Sequence, residues 1–171
     1  MNKVFIVLLC IVAGASFGVT TSKTPTKPFQ KILVDSAQLT CLAKNIYYEA
    51  PNESYEGKLA VATVTMNRVK SKSFPKTVCG VVYERSKAGC QFSWTCGPRT
   101  QFNLASFNTA KSIAHEVLTN NVRLASIKNA LYFHNTSVSP KWDFARPIKK
   151  IGNHIFYVVN TYGKRTRQNT A

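Results

Sequence analysis

Acid is what this chain has least of: seven aspartates and glutamates stand against 23 lysines and arginines in 171 residues, a formal charge of +16. A field of that sign is usually read as binding nucleic acid, a membrane surface or an acidic polymer. Histidine is scarce too. His115, His134 and His154 lack the local spacing of a metal site and no HExxH occurs, which argues against a zinc amidase, so no metal and no cofactor is expected. Paired CxxC knuckles are also missing. Beyond the N-terminus there is no apolar run long and clean enough for a membrane span. The apolar content, 44% with 11% aromatics, nevertheless suits one globular domain with a core of its own.

The one apolar run sits at the start. MNK is a basic leader, VFIVLLCIVAG an apolar segment, and Ser16 and Gly18 are small residues that a signal peptidase accepts. We read residues 1–18 as a signal peptide, with an uncleaved N-terminal anchor as the alternative. Either one exports the body to the periplasm, cell envelope or exterior. Cys10 leaves with the signal, and so does Lys3, its only charge, leaving 22 basic and 7 acidic residues, or +15. Export argues against nucleic acid and towards an envelope polymer carrying carboxylates and phosphates. The four remaining cysteines, Cys41, Cys79, Cys90 and Cys96, form an even set in a chain bound for an oxidising compartment. Two disulfides are expected, and all three connectivities remain open.

Residues 19–35 are rich in Thr, Lys and Pro and read as a linker; residues 161–171 form a polar, basic tail. Between them, 36–160 is the domain. A first helix places Leu39, Leu42, Ala43 and Ile46 on one face, opened by Asp35 or Ser36 and ending near Glu49, because Ala50 precedes Pro51 and is pushed out of helical geometry. A second helix opens near Ser54 and runs through YEGKLAVATVTMNRVKS.

Three of the seven acids crowd the junction IYYEAPNESYEGK. Glu53 and Glu56 fall at the start of the second helix, where a dipole stabilises negative charge. Glu49 is on the last turn of the first, where the same field opposes ionisation, and Tyr47 and Tyr48 stand ready to exclude water. A carboxyl kept protonated near neutral pH suits a general acid.

Further on, 78–83 is a short helix or strand. The segment QFSW offers an amide, a hydroxyl and two rings, the equipment of a sugar site, though Phe92 and Trp94 serve equally as core. A third amphipathic helix spans 106–120, opened by Ser106 or Asn108, with His115 and Glu116 facing solvent. Strand-like segments at ALYFHN and around Gly152 predict a small β-hairpin beside the helices.

Several separated motifs then agree in order: Y-x-E-A at 47–50, E-G, a helix ending in NRV, FPKTVCGV, QFS, FHN with a downstream PKW, and IGNHIFY. Over residues 37–158 this resembles the SleB/CwlJ-type cell-wall hydrolases. The resemblance implies an α+β, mainly helical, lysozyme-like or lytic-transglycosylase-like single domain. It implies cleavage of peptidoglycan between N-acetylmuramic acid and N-acetylglucosamine, with Glu49 as acid. Gln91, Phe92, Ser93, His134 and Tyr48 are expected to line the glycan groove. In such a reaction the muramic C6 hydroxyl closes on the anomeric carbon, so one carboxyl suffices. A hydrolytic route needs a second one about 5 to 10 Å away, for which Glu53, Glu56 and Asp143 are candidates. Pro51-Asn52 departs from the Arg-Gly found in many relatives, which alters the loop beside Glu49.

Two other readings stay open: a cysteine peptidase of stem peptides with His134 as base, and a non-catalytic wall-binding protein. The expected partner is peptidoglycan, met by a monomer, without nucleic acid and with membrane contact only through the N-terminal segment. A bacterium's own wall enzyme and a phage enzyme fit equally.

Overall fold

Asp35 opens the first helix, α1 (Ser36–Glu49), by accepting hydrogen bonds from the backbone N–H groups of Ala37 and Gln38. The computed structural model describes residues 34–87, 89–98 and 101–160, all within the contact-defined unit 32–171. The residues read above as signal peptide, with Cys10, those read as linker up to residue 33, and those read as tail lie outside the described residues. Ala50 closes α1, and Ser54 caps α2 (Tyr55–Lys70) through the N–H of Gly57. Glu56 is the acid of that first turn.

α2 is the centre of the molecule. Every residue from Gly57 to Thr65 is buried, so the helix shows no single apolar stripe. Leu59 and Ala62 join a cluster with Leu42, Ile46, Val81, Val82, Ile113 and Val117, uniting α1, the short α3 (Val78–Val82) and α4 (Leu104–Thr119). Ala60 and Val64 face the other way, onto Ile127, Ala130, Ile151 and Phe156. Phe156 is fully buried, and a ring so placed contributes roughly 1.5–3 kcal/mol. Asn103 caps α4 by accepting from Ser106 N–H, so that helix begins two residues before the span read from the sequence.

A hairpin of two-residue strands, β1 (Arg85–Ser86) and β2 (Gly89–Cys90), precedes a 3-10 turn at Ser93–Thr95. The C-terminal part is a three-stranded antiparallel sheet, β3 (Tyr132–Asn135), β4 (Ala145–Ile151) and β5 (His154–Val159), in the order β3-β5-β4. The expected hairpin is β4–β5; what the sequence did not reveal is that Tyr132 and Phe133 pair with Tyr157 and Phe156 on its far side.

The turn between β4 and β5 is closed from outside. Gly152 has φ +54°, and a Cβ there would lie 1.8 Å from Oε2 of Glu53. Glu53 accepts from Asn153 N–H at 3.0 Å and faces His154 Nδ1 at 3.7 Å. Glu53 thus stands at the start of α2, as the sequence reading has it, and also closes a turn 100 residues away.

Two disulfides join Cys41 to Cys79 and Cys90 to Cys96. The first ties α1 to α3, the second closes the loop that carries Gln91 to Thr95. No described cysteine is left as a thiol, which removes the nucleophile that a cysteine peptidase requires. Among the described residues no helix is long and apolar enough to cross a membrane.

Candidate active site

The last turn of α1 is held in place one turn earlier. Asn45 is wholly buried; its Nδ2 donates to Thr65 Oγ1 of α2 at 3.1 Å and its Oδ1 accepts from Trp94 Nε1 at 3.1 Å. Trp94 in turn stacks on Tyr48, ring centroids 4.6 Å apart and planes at 24°. Tyr47, also buried, accepts from Asn103 N–H through its hydroxyl at 2.8 Å. The turn that follows is pinned by Lys58, whose ammonium donates to the carbonyls of Pro51 and Glu53. Glu49 is therefore presented from a rigid frame.

Burial raises the Glu49 carboxyl from 4.5 to about 7, against the pull of the Arg68 guanidinium, which lowers it. The dipole argument from sequence gave the right sign; removal from water is the dominant cause. Near neutral pH such a carboxyl is half protonated and can deliver a proton.

Arg68 is the group that sequence reasoning missed. It is 3% exposed, although it lies in the last turn of α2 where a solvated cation is the ordinary reading. Its Nε donates to Leu131 O at 2.7 Å, and its guanidinium carbon lies 5.2 Å from the ring centroids of Phe74 and Phe92 and 5.7 Å from that of Tyr132. With the Gln91 amide oriented by its surroundings, the amide oxygen accepts from Nη1 and Nη2 at 3.0 and 3.2 Å. Burial brings the guanidinium down to about 10, and Tyr132, Glu84 and Glu49 act in the opposite direction. It thus stays charged under working conditions. The preceding Asn67 donates to the carbonyls of Ile127 and Ala130, so the pair Asn67-Arg68 fixes the backbone leading into β3.

Two hollows open beside these groups. One, about 410 Å³, is lined by Tyr47, Tyr48, Pro51 and Asn52, which flank Glu49 in the chain, and by Trp94. The other, about 370 Å³, is lined by Ser73, Phe74, Glu84, Gln91 and Tyr132, of which Phe74, Gln91 and Tyr132 contact Arg68. A slightly larger recess of about 430 Å³ runs along α4 past Lys111 and His115 and holds none of this chemistry.

The structure gathers Glu49, Gln91 and Phe92 around Arg68 and sets Tyr48 next door. Phe92 is 4% exposed and carries Arg68 and Phe133 on its ring, so it belongs to the core rather than to a groove surface. Ser93 is exposed at the start of the 3-10 turn. His134 is on β3, with Nε2 2.7 Å from Tyr157 Oη and Nδ1 2.8 Å from Asn135 O.

Of the candidate second carboxylates, Glu53 is engaged by the β4–β5 turn, Glu56 is exposed on α2, and Asp143 is exposed near the sheet. Glu84, which the sequence did not single out, is instead the carboxylate that shares Arg68 with Glu49; its Oε2 is buried without a hydrogen-bond partner. Among the described residues no group of three or more His, Cys, Asp or Glu could hold a metal ion.

A protein family described as Cell Wall Hydrolase matches residues 52–157. Spore cortex-lytic enzymes of Bacillus cereus and Bacillus subtilis (strain 168) are 38% and 36% identical over 117 and 118 residues, 67% of this chain but 42% and 35% of theirs. The chain thus spans well under half the length of these curated relatives. Among solved structures, the catalytic domain of the Bacillus cereus SleB protein aligns with a TM-score of 0.57 at 31% identity, over 78% of this chain and 98% of that one. The catalytic domain of a germination-specific lytic transglycosylase, SleB from Bacillus anthracis, gives 0.55 at 33%, over 72% and 95%. The α+β, mainly helical fold expected from the sequence is the fold of these domains.

Proposed function

Since the chain belongs to the cell wall hydrolase family, we propose that it cuts the glycan strands of peptidoglycan between N-acetylmuramic acid and N-acetylglucosamine, with Glu49 as the general acid. The observation that carries this reading is a half-buried carboxyl raised to about 7 by loss of water, under the influence of the Arg68 guanidinium and flanked in the chain by residues that line a hollow of about 410 Å³. In the reaction Glu49 gives its proton to the glycosidic oxygen as the bond to the anomeric carbon breaks. The muramic C6 hydroxyl adds to that carbon and loses its own proton to the Glu49 carboxylate. An anhydro sugar results, no water is consumed, and the acid is restored. One carboxyl is enough because the nucleophile belongs to the substrate.

Arg68 acts as an orienting group: it holds Gln91 at the edge of the second hollow and keeps the ionised form of Glu49 accessible for the second proton transfer. Tyr48 and Gln91 are assigned to substrate contact, with Ser93, exposed two residues after Gln91, as a further candidate. The excess of basic residues favours a polymer with stem-peptide carboxylates. We assign the protein to the envelope or exterior, acting as a monomer on ordinary cell-wall peptidoglycan.

The experiment is digestion of purified peptidoglycan by wild type and Glu49→Gln, with mass analysis of the released fragments. Anhydro-muramic ends from wild type alone are expected. Reducing sugar ends would replace the transglycosylase route by hydrolysis, and cut peptides or no soluble product from wild type would refute the assignment.

A further inference from the structure

One face of the C-terminal sheet is paved with rings that are partly open to solvent among the described residues. Register places Tyr132 opposite Tyr157 and His134 opposite Ile155, so these side chains share a face, while Phe133 and Phe156 point into the core on the other. The loop before β4 adds Trp142 and Phe144. The rings touch in series: Phe144 to Tyr132 at 5.1 Å, Tyr132 to Trp142 at 5.9 Å, Trp142 to Tyr157 at 5.2 Å and Tyr157 to His134 at 5.3 Å. Phe144 is 43% exposed, and the other four are half-buried, leaving ring surface open to solvent. Surface aromatics in so dense a group mark an interaction site more often than scattered ones do.

Two further observations name the occupant. Tyr132 belongs both to this face and to the hollow around Gln91 and Arg68, so the ring surface is continuous with the candidate site. Along the adjoining loop and edge strand stand four exposed cations, Lys141, Arg146, Lys149 and Lys150, against the single acid Asp143. Rings that stack on pyranose faces, bordered by cations that meet carboxylates, match a glycan strand bearing acidic peptide stems.

We propose that this face is a second glycan-binding surface, which seats an uncut stretch of the strand that Glu49 cleaves. The proposal rests on the peptidoglycan reading above. It gives the rings and the cations of β4 a role in holding polymer rather than in bond cleavage, and within the ring surface the His134 imidazole braces Tyr157.

The test uses the full chain carrying Glu49→Gln, so that polymer is bound without being cut. Co-sedimentation is measured with purified sacculi stripped of other wall polymers and, separately, with phosphatidylglycerol vesicles. Phe144→Ala should weaken sacculus binding about tenfold, as loss of one stacked ring does. The double change Lys149→Glu/Lys150→Glu should weaken it similarly and flatten its salt dependence; being on the exposed edge, this variant decides the matter if Phe144→Ala does not fold. Unchanged sacculus affinity in folded variants overturns the proposal, as does loss of vesicle binding with sacculus binding intact, which would make the face a lipid contact. Release of glycan fragments by wild type with no effect of Phe144→Ala sinks this inference alone. Ring-dependent binding without any fragment release sinks the enzymatic reading and leaves the surface standing.

Discussion

Replacing Glu49 by glutamine should make the protein inactive and, at alkaline pH, more stable. Moving the Glu49 proton equilibrium from 4.5 to about 7 corresponds to roughly 3 kcal/mol against the ionised form in the folded state. The folded pKa lies above the unfolded one, so between about pH 4.5 and 7 the folded chain holds more of this proton than the unfolded chain does. Stability therefore falls as pH rises through that window and stays lowered above it. Glutamine cannot ionise and avoids the loss. At pH 4.5 the two proteins should unfold at about the same urea concentration. At pH 8.5 Glu49→Gln should be ahead by on the order of 3 kcal/mol, or roughly 8 °C in thermal midpoint for a domain of this size. Equal differences at both pH values would refute the desolvated carboxyl, and with it the reason for assigning Glu49 the proton. The same value sets activity: at pH 7 half of the molecules carry the acid, roughly 150 times the share an unshifted glutamate would have. The rate should fall about tenfold per pH unit well above 7.

Other changes have equally definite outcomes. Arg68→Gln should cost roughly 3 kcal/mol in urea unfolding, because Leu131 O and Gln91 lose their donor, and should move the alkaline limb of the pH–rate profile upward, since the charge that lowers Glu49 is gone. Cys41→Ser/Cys79→Ser should lose about 4 kcal/mol and Cys90→Ser/Cys96→Ser about 2, following the lengths of the closed loops; a larger loss for the short loop would refute the ranking. The short-loop variant should nevertheless lose the greater share of activity, because Gln91 and Trp94 sit within it. Gly152→Ala should lower the thermal midpoint by several degrees, and shortening Glu53 to alanine in the same chain should recover part of that loss; strict additivity would show that the two residues do not meet.

Glu49 was legible because one local feature, Ala50 before Pro51, fixes it as the end of a helix, and helix ends have known electrostatics. The first two helices and their caps were legible for the same reason: Asp35 and Ser54 act within three residues of themselves. What escaped the sequence depends on approach from afar. Arg68 looks like a solvated cation ending α2 until Phe74, the loop at Gln91 and Phe92, and β3 close over it. Glu53 is legible as an acid at a helix start, but its second contact, with the β4–β5 turn, is not. The cysteine pairing needed the nearness of α1 to α3, and the ring face needed the pairing of β3 with β5, neither of which a period or a motif encodes. Glu84 carried no signal at all, being one acid after a short apolar run.

The Cys41–Cys79 bridge has one more consequence. Both Glu49 and Arg68 fall inside the segment it encloses, and so does the turn after α2, where Lys70, Lys72 and Lys76 are exposed. A protease that cuts at that turn separates no part of the catalytic frame: the two pieces stay covalently joined across α1 and α3, and the buried contacts of Arg68 and Asn45 stay with them. Limited trypsin treatment should give a single band without reductant, two with it, and retained wall-lytic activity before reduction. A broken backbone at this turn need not end the protein's working life.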